Sequence, residues 1–117
     1  MTNPNGARGS QFERDVVAYL RDHGFPHAER AYGAGRPKDV GDLDSVIPGA
    51  VFELKNHARL ALAEWMGELE LEVANAQASV GFLIVKRRRA SVGSSYVVQT
   101  LAQFCQRERD DAMESAG

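Results

Sequence analysis

One segment near the middle of the chain alternates between apolar and charged side chains, and it constrains the fold more than any other. Phe52 and Leu54 alternate there with Glu53 and Lys55. Successive side chains of a strand point to opposite faces of the sheet. The segment therefore predicts a strand over 50–56 whose apolar face enters a core and whose charged face carries Glu53 and Lys55.

The patterns on either side of this strand predict a small mixed α/β domain. We expect helices over 9–23, 60–79 and 101–109, further strands over 39–47, 81–86 and 95–100, and a short extended segment over 25–32. The order of elements is then α-β-β-β-α-β-β-α. In the first helix, Ser10 and Glu13 have the spacing of a capping box, so a capping role is one interpretation of Glu13.

Length and composition exclude several classes of protein. A chain of 117 residues that is 44% hydrophobic and 26% charged is typical of one globular domain, here 1–117, with flexible ends expected at 1–8 and 110–117. No run approaches the roughly 20 apolar residues that span a bilayer, and no signal peptide is recognisable. The single cysteine, Cys105, fits a reducing compartment and is expected to be a small buried side chain.

Charge is distributed unevenly along the chain, although the net charge is only −2. Residues 60–79 contain four Glu and no Lys or Arg, whereas 80–109 contain six basic residues and one acidic residue. The basic run at 86–89 could attract a polyanion, or it could be a solvated strand end. The stripe of Glu64, Glu68 and Glu72 lies opposite an apolar stripe of its helix and is expected to be a solvated face.

Pro48-Gly49 could form a two-residue turn that folds the 39–47 strand onto the 50–56 strand as a hairpin. In that register Asp44 faces Glu53 and Asp42 faces Lys55. Like charges across a strand pair are destabilising, and a divalent cation would compensate them. A lysine beside such a cation could position a water molecule or bind a phosphate, as metal-assisted phosphodiester hydrolysis requires. The alternative is an exposed hairpin face with a weak surface ion pair.

The order of these segments resembles that of the PD-(D/E)xK nuclease superfamily. The similarity is greatest to the Holliday junction resolvase-like proteins of actinobacterial phages, which are related to the archaeal Holliday junction resolvases. The residues that carry it are Lys38-Asp39-Val40-Gly41-Asp42, Glu53-Leu54-Lys55-Asn56-His57, Trp65 and Lys86-Arg87-Arg88, with Glu13, Gly24-Phe25 and Arg30 before them. They span about residues 10–104. The resemblance implies a restriction-endonuclease-like core, with a mixed central β-sheet flanked by helices.

The resemblance also implies roles for individual residues. Asp42 and Glu53 would bind Mg²⁺ or Mn²⁺, Glu13 would complete the metal site directly or through water, and Lys55 would be the catalytic lysine. Asp39 is an alternative to Asp42, which is preferred because it shares the hairpin face of Lys55. No organic cofactor is implied. Proteins of this family are homodimers that cut two opposed strands of a four-way junction, and a two-fold enzyme suits a two-fold substrate.

Further residues are expected to contact DNA or to lie near the site. The expected phosphate contacts are Arg30, Arg36, Lys38, Lys86, Arg87, Arg88 and Arg89. Additional candidates beside the site are Asp44, Asp39, Asn56, His57 and Gln77. His57 could equally be an ordinary loop histidine, and Gln77 is considered because some members of the superfamily place a glutamine near the catalytic lysine.

The expected function is that of a Mg²⁺-dependent, structure-specific DNA endonuclease. It would resolve Holliday junctions during phage or prophage recombination or replication, in the cytoplasm of a bacterial host and without a membrane partner. Two alternatives stay open. One is a nuclease of the same fold that acts on another DNA substrate by nicking, flap or restriction-like cleavage. The other is a non-catalytic DNA-binding module.

Overall fold

The structure, a computed structural model, describes residues 4–31 and 41–116, with side chains from residue 9 onward. Its elements are α1 (Pro4–Asp22), β1 (Glu29–Arg30), β2 (Leu43–Asp44), β3 (Ala50–Lys55), α2 (Leu62–Ala76), β4 (Val80–Val85), β5 (Tyr96–Val98) and α3 (Leu101–Ala116), with a 3-10 turn at Val92–Ser94. The predicted α/β class and order of elements are confirmed. None of the helices in the described part of the chain is long and apolar enough to cross a membrane.

The central sheet is mixed and has the strand order β3-β4-β5. β3 and β4 are parallel and in register from Ala50 opposite Val80 to Lys55 opposite Val85, whereas β5 runs antiparallel to β4. A parallel pair needs a crossover connection, and α2 provides it. β1 and β2 form a separate antiparallel pair. The carboxyl ends of β3 and β4 therefore meet at one edge of the sheet.

Helices cover both faces of this sheet. The even-numbered residues of β3 and β4 pack against α1 in one apolar cluster: Phe12, Val16, Val17, Leu43, Phe52, Leu54, Phe82 and Ile84. The odd-numbered residues pack against α2 in a second cluster: Val51, Trp65, Leu69, Leu83 and Val85. The alternation expected of the 50–56 strand is thus confirmed, and it directs Glu53 and Lys55 toward α2.

The expected hairpin between residues 39–47 and β3 is wrong. Ser45 has a φ of +62°, and β2 is only two residues long. Its partner is β1, with Asp44 opposite Glu29 rather than opposite Glu53. A left-handed residue changes the chain direction at Ser45, so the strand does not run straight into a two-residue turn.

Two helices extend beyond their expected ends. α1 begins at Pro4, so Ser10 and Glu13 lie inside the helix and the capping-box interpretation is wrong. α3 continues to Ala116, and Cys105 on it is exposed rather than buried. The exposure of Cys105 follows from how α3 is attached: its half-buried residues are Gln103 and Arg107, and the rest of the helix is exposed.

Candidate active site

Glu53 and Lys55 lie side by side on β3 beneath α2. Glu53 is only 8% exposed. The ammonium Nζ of Lys55 is 3.6 Å from Glu53 Oε1 and 2.9 Å from Glu68 Oε2 of α2, and it lies 5.9 Å from the centre of the Trp65 ring. The sequence pairs Glu53 with Lys55, and the structure adds a second carboxylate and an aromatic ring around the same ammonium group.

The expectation that the glutamate stripe of α2 is solvated is wrong for Glu72, whereas Glu64 and Glu68 are exposed as expected. Glu72 is only 5% exposed, and Glu68 pairs with Lys55, whereas Leu71 is 63% exposed. The helix is rotated so that Glu72, rather than Leu71, is turned toward the sheet. The two glutamates were missed because an i, i+4 stripe of charged residues is normally solvated. The available signal was Lys55, a cation on the strand face that the next helix covers.

These side chains surround a cavity of about 360 Å³, which is lined by Glu53, Lys55, Glu68, Leu71, Glu72 and Asn75. Three carboxylates and one ammonium group give it a net negative charge. One water molecule takes up about 30 Å³ of liquid, so the cavity has room for a hydrated cation. Its chemistry therefore suits a cation better than an anion.

Asp42 lies beside β3, but in a position that differs from the expected one. Its backbone N–H donates to the Phe52 carbonyl at 2.7 Å, and its Oδ2 accepts the N–H of Leu54 at 2.8 Å. Asp42 is thus held on the edge of β3 at the two neighbours of Glu53, and not opposite Lys55 as the hairpin register required.

Gly41 makes this approach possible. It has a φ of +104°, and a Cβ there would lie 2.8 Å from Val51 Cγ1 and 3.0 Å from the Phe52 carbonyl oxygen. Only glycine adopts such a conformation at low cost while its backbone lies this close to a strand. Gly41 therefore allows the neighbouring Asp42 to bond to the edge of β3.

Asp42 and Glu53 have the chemistry of ligands for a hard divalent cation. Glu53 Oε2 is buried and accepts no hydrogen bond from the described part of the chain. A buried oxygen of this kind is costly unless something binds it. Within residues 4–31 and 41–116 no three His, Cys, Asp or Glu side chains converge as a metal-binding group. Mg²⁺ commonly takes only one or two carboxylates and keeps several waters, so two carboxylates are a sufficient number and type of protein ligand for it.

Lys55 is held in its charged form. Burial alone would lower the pKa of its ammonium group, but the hydrogen bond to Glu68 and the charges of Glu53 and Glu68 outweigh burial and raise that pKa above its ordinary value of 10.5. At neutral pH the side chain is therefore a cation that donates hydrogen bonds, not a neutral amine that accepts a proton.

Glu13 of α1 and Arg30 of β1 form a separate ion pair. Arg30 Nη2 lies 3.5 Å from Glu13 Oε1, and both side chains are partly buried. Arg30 also belongs to β1, and the neighbouring Ala31 N–H donates to the Asp42 carbonyl at 2.9 Å. This backbone link connects the pair to Asp42, while the carboxylate of Glu13 is directed to Arg30.

A basic groove lies at the edge where β3 and β4 end. The N–H of Lys86 donates to the Lys55 carbonyl at 3.0 Å, which places the basic run directly beside the end of β3. The groove is lined by Asn56, His57, Ala58, Lys86, Arg88 and Arg89. Arg87 points elsewhere, with its guanidinium 6.0 Å from the Tyr96 ring centre. The groove thus gathers three basic side chains beside the end of β3, where Lys55 lies.

The remaining candidates have other environments. The centre of the His57 ring lies 5.4 Å from the centre of the Trp65 ring, and His57 is an exposed residue that lines the groove. Asp44 is half-buried on β2. Gln77 is an exposed left-handed residue at the C-terminus of α2, near the start of β4 and thus at the opposite end of the sheet from Lys55. The expected contacts at Arg36, Lys38 and Asp39 lie outside the described residues.

Comparisons with protein-family models, with curated proteins and with solved structures found no match to this chain. What the chain does must therefore be inferred from the chemistry of these residues.

Proposed function

We propose that this protein is a metal-dependent DNA endonuclease with a restriction-endonuclease-like core, and that its substrate is a four-way DNA junction. The observation that carries the proposal is the environment of Glu53. Its Oε2 is buried without a hydrogen bond from the described residues, Lys55 lies 3.6 Å away on the same strand, and Asp42 is bonded to the same strand one residue further on.

In this proposal Asp42 and Glu53 hold one Mg²⁺ or Mn²⁺ ion, with water molecules as its other ligands. The bound ion would activate a water molecule and neutralise charge on the scissile phosphate. Lys55 would donate hydrogen bonds to a phosphate oxygen or to the attacking water, because its raised pKa keeps it protonated. Glu68 would hold the Lys55 ammonium group in place from α2.

The basic groove supplies the contacts that place DNA on the site. Lys86, Arg88 and Arg89 would bind phosphates next to the scissile one, and such contacts give affinity that depends on salt and not on sequence. The negative cavity under α2 would repel the backbone. A DNA strand would therefore lie along the end of β3 and β4, where Lys55 meets the groove.

The choice of a four-way junction rests on the segment order described above and not on the geometry of the site. The same resemblance suggests a homodimer with one active site for each of two opposed strands, in the cytoplasm of a bacterial host and encoded by a phage or prophage. The junction substrate and the homodimer are both testable with the purified protein in solution.

The test is cleavage of end-labelled four-way junctions with Mg²⁺, measured for the wild type, Asp42→Asn, Glu53→Gln and Lys55→Met. We expect paired nicks on opposed strands, a loss of at least about a hundredfold in rate for each variant, and junction binding that is retained. Glu64→Gln is the matched control, because Glu64 is an exposed residue of the same helix as Glu68. Wild-type protein that never cuts, or variants that cut as fast as wild type, would refute the proposal.

The same assay separates the alternatives when forks, flaps, nicked duplexes and linear duplexes are added. Equal or faster cutting of one of these substrates, with the same dependence on Asp42 and Glu53, would assign a nuclease with another DNA substrate. Tight, salt-dependent junction binding without turnover in Mg²⁺ or Mn²⁺ would assign a DNA-binding module.

A further inference from the structure

The basic groove at the end of β3 contains an aromatic side chain as well as cations. Four of its lining residues could contact a nucleotide: His57, Lys86, Arg88 and Arg89. None of the described residues that line the groove is acidic, and its volume is about 330 Å³, at the lower end of the range for ligand pockets. Surfaces that bind single-stranded nucleic acid combine basic side chains along the backbone with aromatic rings on which bases stack. The groove has both parts.

The core supports the His57 ring from one side. The centre of this ring lies 5.4 Å from the centre of the Trp65 ring, and the two ring planes are tilted by 39°. Trp65 is only 5% exposed and belongs to the apolar cluster beneath α2, whereas His57 is exposed. The side of the His57 ring away from Trp65 is therefore open to the groove. Because the contact with Trp65 already restricts the ring, a ligand that stacks on it has less side-chain freedom to remove.

An open ring face distinguishes unpaired DNA from duplex DNA. Inside a duplex each base is stacked on both sides, so it cannot also stack on a protein ring unless it leaves the helix. The phosphates are accessible in both forms of DNA. An unpaired base is free to turn outward and to stack on an aromatic side chain, histidine included. Only an unpaired nucleotide can therefore use His57 and the basic side chains at the same time.

We propose that the basic groove binds an unpaired nucleotide, with its base stacked on His57 and its phosphates bound by the three basic side chains. This inference rests on the proposed function and deepens it, because it names the part of a branched DNA that enters the groove. The N–H of Lys86 donates to the Lys55 carbonyl, so this nucleotide would lie next to the scissile phosphate. His57 would thus contribute to the binding of DNA with unpaired bases and not to the binding of closed duplex.

Binding measured in EDTA tests the inference separately from cleavage. Fluorescence anisotropy would compare three labelled ligands: a single strand of thymidine nucleotides, an abasic strand with the same number of phosphates, and a blunt duplex. The abasic strand keeps the charge and lacks the bases. We expect the wild type to bind the thymidine strand about tenfold more tightly than the abasic strand, which is the effect of stacking about one base on the protein.

Four variants assign this difference to the His57 ring. His57→Ala should weaken binding of the thymidine strand about tenfold and leave the other two ligands unchanged. His57→Phe should restore wild-type binding, because its ring stacks without a charge. Lys86→Gln should weaken binding of all three ligands, since phosphate contacts do not depend on the bases. His23→Ala is the matched control: His23 is also exposed and stacks on an aromatic ring, that of Tyr19, but it does not line the groove.

Three results would overturn the proposal. They are equal binding of the thymidine and abasic strands by the wild type, unchanged binding in His57→Ala, and a loss in His57→Ala that His57→Phe does not reverse. The last result would assign a charge contact instead of stacking. Failure of the nuclease proposal has a different signature: His57-dependent binding of the thymidine strand, with no cleavage of any DNA in Mg²⁺ or Mn²⁺, would refute the nuclease and retain the groove as a binding site for unpaired DNA.

Discussion

One strand of six residues, β3, supplies two faces that differ in chemistry. On the α1 face, Phe52 and Leu54 belong to the apolar cluster that packs against α1. On the α2 face, Val51 joins an apolar cluster around Trp65, but Glu53 and Lys55 follow it beneath the same helix. Burying a carboxylate contributes nothing to folding unless it is bound. The contrast suggests that the α1 face stabilises the fold, whereas Glu53 and Lys55 on the α2 face serve the proposed function.

The largest effect on stability should come from the apolar face. Phe52→Ala removes a ring that stacks on Phe82 at 5.2 Å, and it should lower the free energy of unfolding by about 3–5 kcal/mol. Glu53→Gln is the matched change on the other face. It should stay within about 1 kcal/mol of wild type, because Lys55 keeps Glu68 as a partner. Urea denaturation measures both, and equal losses would mean that Glu53 is a structural residue.

A smaller effect is expected where Asp42 joins β3. Gly41→Ala places a Cβ 2.8 Å from Val51 Cγ1 at a φ of +104°, and it should cost about 1–3 kcal/mol. Because this displaces Asp42, cleavage should fall as in Asp42→Asn. The control is Gly67→Ala, at a position with open space inside α2, which should stabilise the protein by about 0.5–1 kcal/mol. Unchanged cleavage in Gly41→Ala would show that the position of Asp42 is unimportant.

The smallest effect concerns the proton on Lys55. Its pKa is raised above 10.5, so its ion pairs stabilise the protein fully below pH 10.5 and are lost as the pH rises through the raised value. Glu68→Gln removes the closer partner and should lower the pKa of Lys55, as measured by NMR titration of the side-chain ammonium group. Glu64→Gln should leave that pKa unchanged. A Lys55 pKa that is insensitive to Glu68 would contradict the 2.9 Å contact.

Most of the fold could be predicted from local patterns. The alternation around Glu53 and the apolar run at 81–86 correctly placed two strands, and the order of all elements was right. The path of residues 41–49 could not be predicted, because it depends on a left-handed Ser45 and on the pairing of β2 with the distant β1. Local sequence specifies neither of them.

The candidate site was predictable in composition but not in geometry. Glu53 and Lys55 could be singled out because they share one face of a predicted strand, and Asp42 was added through an assumed hairpin and through the resemblance to a nuclease family. The contribution of Glu68 and Glu72 depends on the rotation of α2 about its axis, which packing against Trp65 and Leu69 sets. The separate pairing of Glu13 with Arg30 likewise depends on where α1 crosses the sheet.

The most direct test of the central claim is an anomalous-difference map from crystals of the wild-type protein soaked in Mn²⁺. We expect one strong peak coordinated by both Asp42 and Glu53, with Lys55 next to it, and no peak there in Glu53→Gln. A peak bound by Glu68 and Glu72 away from Asp42, or the absence of any peak at Glu53, would contradict the assignment of this face of β3 as a metal-dependent active site.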